Sequence, residues 1–237
     1  MPLSRCFALI PAAGAGSRMN AEVPKQYLPV AGKPMLLHSV LAFAASPLIE
    51  HVYVVVNPDD ARVDEVLQRG DLAAGRVTVL RVGGASRHAS VLNGLHAIQQ
   101  QADEADWMLV HDAARPGITS DMLASLISAL RQDEVGGILA LPVVDTLKRS
   151  SAANRVVETV TRQHMWTAQT PQMFRFKLLL AALAAAQDSG LDVTDEASAV
   201  EALGLQPRLV QGSPRNFKIT LPQDVALAEL YLKGFDG

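Results

Sequence analysis

The sequence predicts an α/β protein with a doubly wound, mostly parallel sheet, and three observations carry that prediction. Apolar runs such as His51-Val52-Tyr53-Val54-Val55-Val56 and Trp107-Met108-Leu109-Val110-His111 are nearly continuous, as in strands covered on both faces. Segments with helical spacing stand between these runs, the alternation that builds parallel sheets. The glycine-rich and charged motifs follow the ends of the runs, where doubly wound sheets take their ligands.

The first strand is expected over Cys6 to Pro11 and is followed by the small-residue loop Ala12 to Gly16. Lys33-Pro34-Met35 opens a helix running through Leu36, Leu37, Val40, Leu41 and Ala44, with Pro34 in the first turn where its missing N–H does no harm. His51 to Val56 is the next strand, and Asn57-Pro58-Asp59-Asp60 starts a helix containing Val63, Val66 and Leu67. Arg76 to Val82 reads as a strand, and Ala89 to Gln101 as a helix with Val91, Leu92, Leu95 and Ile98 on one face. Trp107 to His111, a helix from Ser120 to Arg131, and Gly136 to Leu141 continue the alternation.

The rhythm breaks after Leu141. Val143 to Lys148 and Arg155 to Thr161 flank the polar turn Ser150 to Asn154, which reads as an inserted hairpin at about 142–164. An isolated ribbon is marginal in water, and Val143, Val144, Val156, Val157 and Val160 give this one an apolar surface. The preferred expectation is a C2 homodimer through this arm; the alternative is a flap folded back on its own domain. Met165 to Gln169 returns to the sheet, and Phe174 to Gln187 is an Ala/Leu-rich helix. Thr194-Asp195-Glu196 caps a helix from Ala197 to Leu203, Gln206 to Gln211 is a strand, and Pro222 to Leu232 a closing helix. No repeat, low-complexity tract or composition shift divides the chain, so one domain spanning 1–237 is expected, with no fused second enzyme after the closing helix.

Composition narrows the function. A hydrophobic content of 49% with 19% charged residues is globular, and a net charge of −3 argues against a general nucleic-acid binder. No apolar run is long enough to span a bilayer and the N-terminal run is too short for a secretory signal, so a cytoplasmic location is expected. One cysteine, Cys6, excludes an internal disulfide and reads as a buried, inert thiol. His38, His51, His96 and His164 lack metal-ligand spacing.

The loop Ala12-Ala13-Gly14-Ala15-Gly16-Ser17-Arg18, with Pro24-Lys25-Gln26 close behind, fits either a phosphate cradle or an ordinary tight turn. A dinucleotide site would need a third glycine where Met19 stands, and a P-loop would need a Gly-Lys-Ser/Thr that is absent. Further motifs stand in order along the chain. They are Gly-Gly-x-x-Arg-x-x-Ser-Val from Gly83, His-Asp-Ala-Ala-Arg-Pro from His111, Gln-Thr-Pro-Gln from Gln169, Thr-Asp-Glu-Ala from Thr194 and Asn-x-Lys-Ile-Thr from Asn216. Together with Pro-Ala-Ala-Gly-x-Gly-x-Arg-Met and Pro-Lys-Gln-Tyr, this ordered set resembles, nearly end to end, the 2-C-methyl-D-erythritol 4-phosphate cytidylyltransferases of the non-mevalonate isoprenoid pathway. The loop alone is common to many nucleotidyltransferases; the ordered set is specific.

The resemblance implies a Rossmann-like nucleotidyltransferase fold and attack of a sugar-alcohol phosphate on the α-phosphorus of CTP, with release of pyrophosphate. Such a transfer needs positioning and charge stabilisation more than a protein nucleophile, so a missing Ser-His-Asp or Cys-His set is no objection. By the same resemblance Arg18, Lys25 and Lys218 are the catalytic cations; for the lysines the alternative is a solvated surface position. Pro11, Ala12, Ala13, Gly14, Ala15, Gly16, Gly84, Ala85, Ser90 and Ala113 are assigned to CTP. Arg87 ranks below Ser90 because a structural ion pair is open to it. Asp112 is expected to contact substrate or a hydrated Mg²⁺ (or another divalent cation), the alternative being a loop or cap carboxylate. A further carboxylate common just before the Asn-x-Lys motif is replaced here by Arg215. Arg115 either contacts the sugar phosphate or braces its loop. Thr146 and Arg162 from the hairpin, with Thr170, Lys218 and Thr194, are expected at the acceptor, some of them across the dimer interface. The rivals are a ribitol 5-phosphate cytidylyltransferase and a non-catalytic nucleotide-binding module.

Overall fold

The computed structural model describes residues 4–14 and 23–233. The expected ligand residues Ala15, Gly16 and Arg18 lie outside the described residues. In chain order the elements are β1 (Cys6–Pro11), β2 (Pro29–Val30), β3 (Lys33–Pro34), α1 (Met35–Ala44), β4 (His51–Val55), α2 (Val63–Gln68), β5 (Val77–Leu80) and α3 (Arg87–Ala97). Then come β6 (Trp107–Val110), α4 (Ser120–Leu130), β7 (Gly136–Pro142), β8 (Leu147–Ser150), β9 (Val156–Val160) and β10 (Trp166–Arg175). The chain closes with α5 (Phe176–Asp188), α6 (Glu196–Glu201), β11 (Arg208–Gln211) and α7 (Asp224–Leu232).

Seven strands form the central sheet in the order β11-β7-β10-β6-β1-β4-β5. All neighbours pair in parallel except β10, which runs antiparallel to both β6 and β7. Because side chains alternate across a strand, β1 sends Ala8 and Ile10 into one core and Phe7 and Leu9 into the other. The first core holds α1, α2 and α4 against the sheet, and the second holds α3, α5 and α6. Covering on both faces is what made these strands read as continuous apolar runs. The chain leaves β1 toward β4 and β5 and then returns to β6 on the other side, so the strand order reverses between β1 and β6. The crevice at their carboxyl ends is the position where such sheets bind ligands.

Several boundaries differ from expectation, each for a physical reason. Pro34 stands at the N-cap of α1 and pairs in the small β2–β3 ribbon, not in the first helical turn. α2 starts at Val63, because the Asp60 carboxylate accepts the N–H groups of Arg62 and Val63 and delays the helix. Phe174, expected in a helix, lies in β10, opposite Met108 of β6 and Gly136 of β7, and α5 begins at Phe176. β10 carries extra residues between Ala168 and Gln172 relative to β7, a bulge that holds the buried Gln169 and Thr170, bonded to the Ser213 carbonyl and to His111 and the Asp112 N–H. In the hairpin only Leu147–Ser150 and Val156–Val160 pair as strands, so the first is shorter than expected. Cys6 is buried, and desolvation pushes its thiol pKa up to about 11, consistent with an inert side chain.

Candidate active site

The loop leaving β1 is fixed from below. The Ala12 N–H donates to the Val55 carbonyl, and the buried Gln26 amide donates to the Ala12 carbonyl at 2.7 Å. Tyr27 is also buried and donates its hydroxyl to Asp60, so the short turn Lys25–Tyr27 is held on both its later residues and presents Lys25 at the loop's edge. Opposite, the Ser90 hydroxyl accepts the Gly84 N–H and donates to the Ser86 carbonyl, while Ser86 caps α3 through Ala89. A Cβ on Gly84 would sit 2.6 Å from that of Ala89, so the turn closes only with glycine. Ser90 thus shapes the wall with both halves of its hydroxyl.

Across the crevice, Asp112 follows β6 and is 7% exposed. Its Oδ1 accepts Arg87 Nε at 2.7 Å and its Oδ2 meets Lys218 Nζ at 2.8 Å, with Arg115 Nε at 3.8 Å. Burial opposes this charge, but Arg87 and then Lys218 outweigh it and hold the carboxyl well below the ordinary carboxylate range. Arg87 spends its remaining fork on Glu196, at 2.6 and 2.9 Å. Burial alone would weaken the guanidinium charge; Glu196 and Asp112 reverse that and raise its pKa. Lys218 is carried to Asp112 because Ile219 N–H donates to the Ala114 carbonyl and Arg115 Nη1 donates to the Asn216 carbonyl. Gly117 permits that approach, since a Cβ there would collide with the Arg215 carbonyl.

His111 stands beneath this arrangement, fully buried. The Thr170 hydroxyl accepts the Asp112 N–H, so its own proton goes to His111 Nδ1, and His111 Nε2–H donates to the Arg115 carbonyl. Burial foremost lowers the ring's pKa from 6.5 to about 4, so it is uncharged at neutral pH, in keeping with these contacts. Between those values the unfolded chain binds the proton and the native chain does not, so stability is lost as pH falls through this window. At pH 5 the expected loss is about 2 kcal/mol. Urea unfolding at pH 7.5 and pH 5 checks this, because His111→Asn should shrink the difference between the two pH values by about that amount. An equal difference in both proteins would contradict it.

The crevice encloses about 530 Å³. Pro11, Ala12, Ala13 and Gly14 line one side, with Lys25 at its edge. Gly84, Ala85 and Ser90 line the second side, and Asp112, Ala113 and Lys218 the third. Thr170, buried, and Arg115, half-buried, lie behind this lining and hold the Asp112 loop; Arg115 braces it through Asn216 and Ala168. Thr194 lines a separate small cleft with Ser86, Arg87 and Glu196. Thr146 and Arg162 are exposed on the hairpin, where Arg162 donates to the Val144 carbonyl, and neither reaches the crevice within one chain.

Small-residue walls and converging cations are shared by many nucleotidyltransferases; comparison with known proteins decides among them. Residues 6–234 match the family model described as IspD, 2-C-methyl-D-erythritol 4-phosphate cytidylyltransferase. This chain belongs to that family. It is 56% identical over 233 residues to the 2-C-methyl-D-erythritol 4-phosphate cytidylyltransferase of Paraburkholderia xenovorans, covering 97% of each chain. It is similar to a crystal structure of 4-diphosphocytidyl-2C-methyl-D-erythritol synthase (41% identity, TM-score 0.84, 97% and 99% of the two chains). It is also similar to the Francisella tularensis IspD structure, with 33% identity, a TM-score of 0.81 and coverage of 96% and 100%. The ribitol 5-phosphate reading is not favoured by these relationships.

Within this IspD-family site, the sequence left some working residues without a role. Gln26, His111 and Asn216 sit inside the quoted motifs, and a polar residue that is buried on folding was their only signal. Asn57 also lines the crevice, as does Ser86, which the resemblance assigns with Gly84, Ala85 and Ser90 to the nucleoside region. Arg87 does form the ion pair left open for it, and Arg215, in place of a carboxylate, donates to the Tyr231 carbonyl. No group of three or more His, Cys, Asp or Glu side chains able to hold a metal occurs among the described residues.

Proposed function

We infer that the chain transfers the cytidylyl group of CTP to 2-C-methyl-D-erythritol 4-phosphate, forming 4-diphosphocytidyl-2-C-methyl-D-erythritol and pyrophosphate for isoprenoid precursor synthesis. The observation that carries the chemistry is the convergence of Lys25, Lys218 and the Pro11–Gly14 backbone on one crevice where β1 and β6 end. The acceptor phosphate is itself the nucleophile and is ionised near neutral pH, so the protein has no proton to remove. Its work is to align that phosphate with the α-phosphorus and to stabilise charge on the α-phosphate and the departing pyrophosphate.

In this reading the Ala12–Gly16 backbone cradles the triphosphate, and Arg18 and Lys25 hold charge as it grows. Lys218 supplies the third cation, oriented by Asp112. Gly84, Ala85, Ser90 and Ala113 form the nucleoside wall. Among the described residues, Asp112 is the one carboxylate in the crevice lining. Each of its oxygens retains a lone pair beyond its partner, which fits a magnesium ion held mainly by triphosphate oxygens and water. Asp112 would hold that ion, which supplies charge neutralisation when bound.

The acceptor contacts Thr146 and Arg162 are proposed to come from the partner copy of a homodimer, with residues 1–237 forming one nucleotidyltransferase domain and 142–164 its arm. Support comes from the hairpin surface. Val144, Val156 and Val157 are 72%, 66% and 64% exposed. Burying a valine gains about 1.5–3 kcal/mol. The ribbon's own exposed Arg149–Glu158 ion pair is worth roughly 0–1 kcal/mol. Covering the valines is thus the larger available term.

No helix among the described residues is long and apolar enough to cross a membrane, and action in the cytoplasm on these phosphorylated substrates is part of the same proposal. Pyrophosphate release from CTP, measured side by side with methylerythritol phosphate and ribitol 5-phosphate, tests the assignment. Faster turnover with the first is expected; a large advantage for ribitol 5-phosphate would overturn it.

A further inference from the structure

We propose that Glu196 is a positioning residue for the reaction: by occupying the fork of Arg87, it keeps Asp112 available to orient Lys218. The proposal rests on the reading that Asp112 and Lys218 work in the CTP crevice. Glu196 lies at the start of α6 and is 1% exposed, outside the crevice lining. Its two oxygens each take one N–H from the end-on Nη1/Nη2 fork of Arg87, and the contact to Asp112 Oδ1 is made by Nε–H alone. Asp112 Oδ2 therefore remains on Lys218 Nζ.

A guanidinium binds carboxylates best through two parallel N–H donors. With Glu196 uncharged, Asp112 would be the remaining carboxylate for Arg87, Lys218 and the nearby Arg115. The Arg87 fork would then turn onto both Asp112 oxygens and displace Lys218. α6 is itself anchored to the sheet, since Ala197 N–H donates to the Gln172 side chain and Gln172 Nε2 donates to Asp195. The relay therefore has a rigid origin, and its last member is a catalytic cation.

Glu196→Gln is expected to lower kcat about 30-fold, as small misplacements of reacting groups do. The Kd for CTP should stay within about threefold and the melting temperature within a few degrees, because the Pro11–Gly14 loop and Gly84, Ala85 and Ser90 keep their places. The decisive variant is the neutral pair Arg87→Gln/Glu196→Gln. It removes the competing fork together with its partner, and neutral replacement of a whole buried pair is often tolerated. Its kcat should recover at least about threefold over Glu196→Gln, whereas a purely structural Glu196 predicts a further fall. Unchanged kcat in the single variant, or a double variant worse than the single, would overturn the proposal. If Glu196→Gln does not fold, the neutral pair is compared with the parent: a kcat within about tenfold is expected, and a larger loss overturns the proposal. Asp112→Asn run in parallel separates the two levels. Full activity in that variant defeats the reading of the crevice; its inactivity beside an active Glu196→Gln defeats only the relay.

Discussion

Lys25→Met should lower kcat by roughly two to three orders of magnitude, the scale seen when one preorganised charge donor is removed from a transition state. The Kd for CTP should rise less than about tenfold. The asymmetry follows from where the charge grows. CTP arrives with its triphosphate already negative and is met by the loop backbone as well as by side chains. In the transition state charge builds further on the α-phosphate and the departing pyrophosphate, and a cation at the edge of the loop gains most there. Lys25 is held at that edge by its neighbours, Gln26 to the Ala12 carbonyl and Tyr27 to Asp60, and methionine keeps the length of the side chain without the charge. Steady-state kinetics beside equilibrium CTP binding reads both quantities. Equal losses in kcat/KM and CTP affinity would show that Lys25 contributes uniform binding and would remove its catalytic role.

Much of this architecture could be read from the chain because its causes are local. β1, β4 and β6 are apolar without alternation since helices cover both faces of the sheet, and that pattern is written in consecutive residues. The antiparallel place of β10 could not be read that way. It depends on pairing with β6 and β7, far away in the chain, and Phe174 looked like the start of the Ala/Leu-rich helix that follows. The site shows the same division. Lys25, Asp112 and Lys218 stood out because they lie in motifs that resemble the family's, and the doubly wound crevice is where such motifs meet. Glu196 read as a helix-dipole partner, and it is that, yet its carboxylate also holds Arg87 across 109 positions of sequence. Thr170 was expected on the acceptor, but its hydroxyl is spent between His111 and the Asp112 backbone. Where a buried side chain ends up is a non-local fact, and no spacing rule reports it.

Mixing two inactive variants should restore activity if the hairpin completes the neighbouring site. Arg162→Ala removes an acceptor contact proposed to act across the dimer, and Lys218→Met removes a cation that acts within its own chain. In a C2 dimer formed from one copy of each, both lesions fall in one site and the other site is intact. Random exchange at equal amounts makes about half the dimers mixed, each with one good site of two, so activity should approach about one quarter of the parent's. The geometry demands this outcome if Thr146 and Arg162 serve the reaction, because within one chain both are exposed on the hairpin and away from the crevice that holds Lys218. The exposed Val144, Val156 and Val157 would supply the apolar contact that brings the second copy into place. A mixture no more active than its components, from variants shown to exchange subunits, would place the arm's residues outside the reaction. The acceptor would then have to be bound by groups such as Asp112 and Lys218 that one chain already gathers around the crevice.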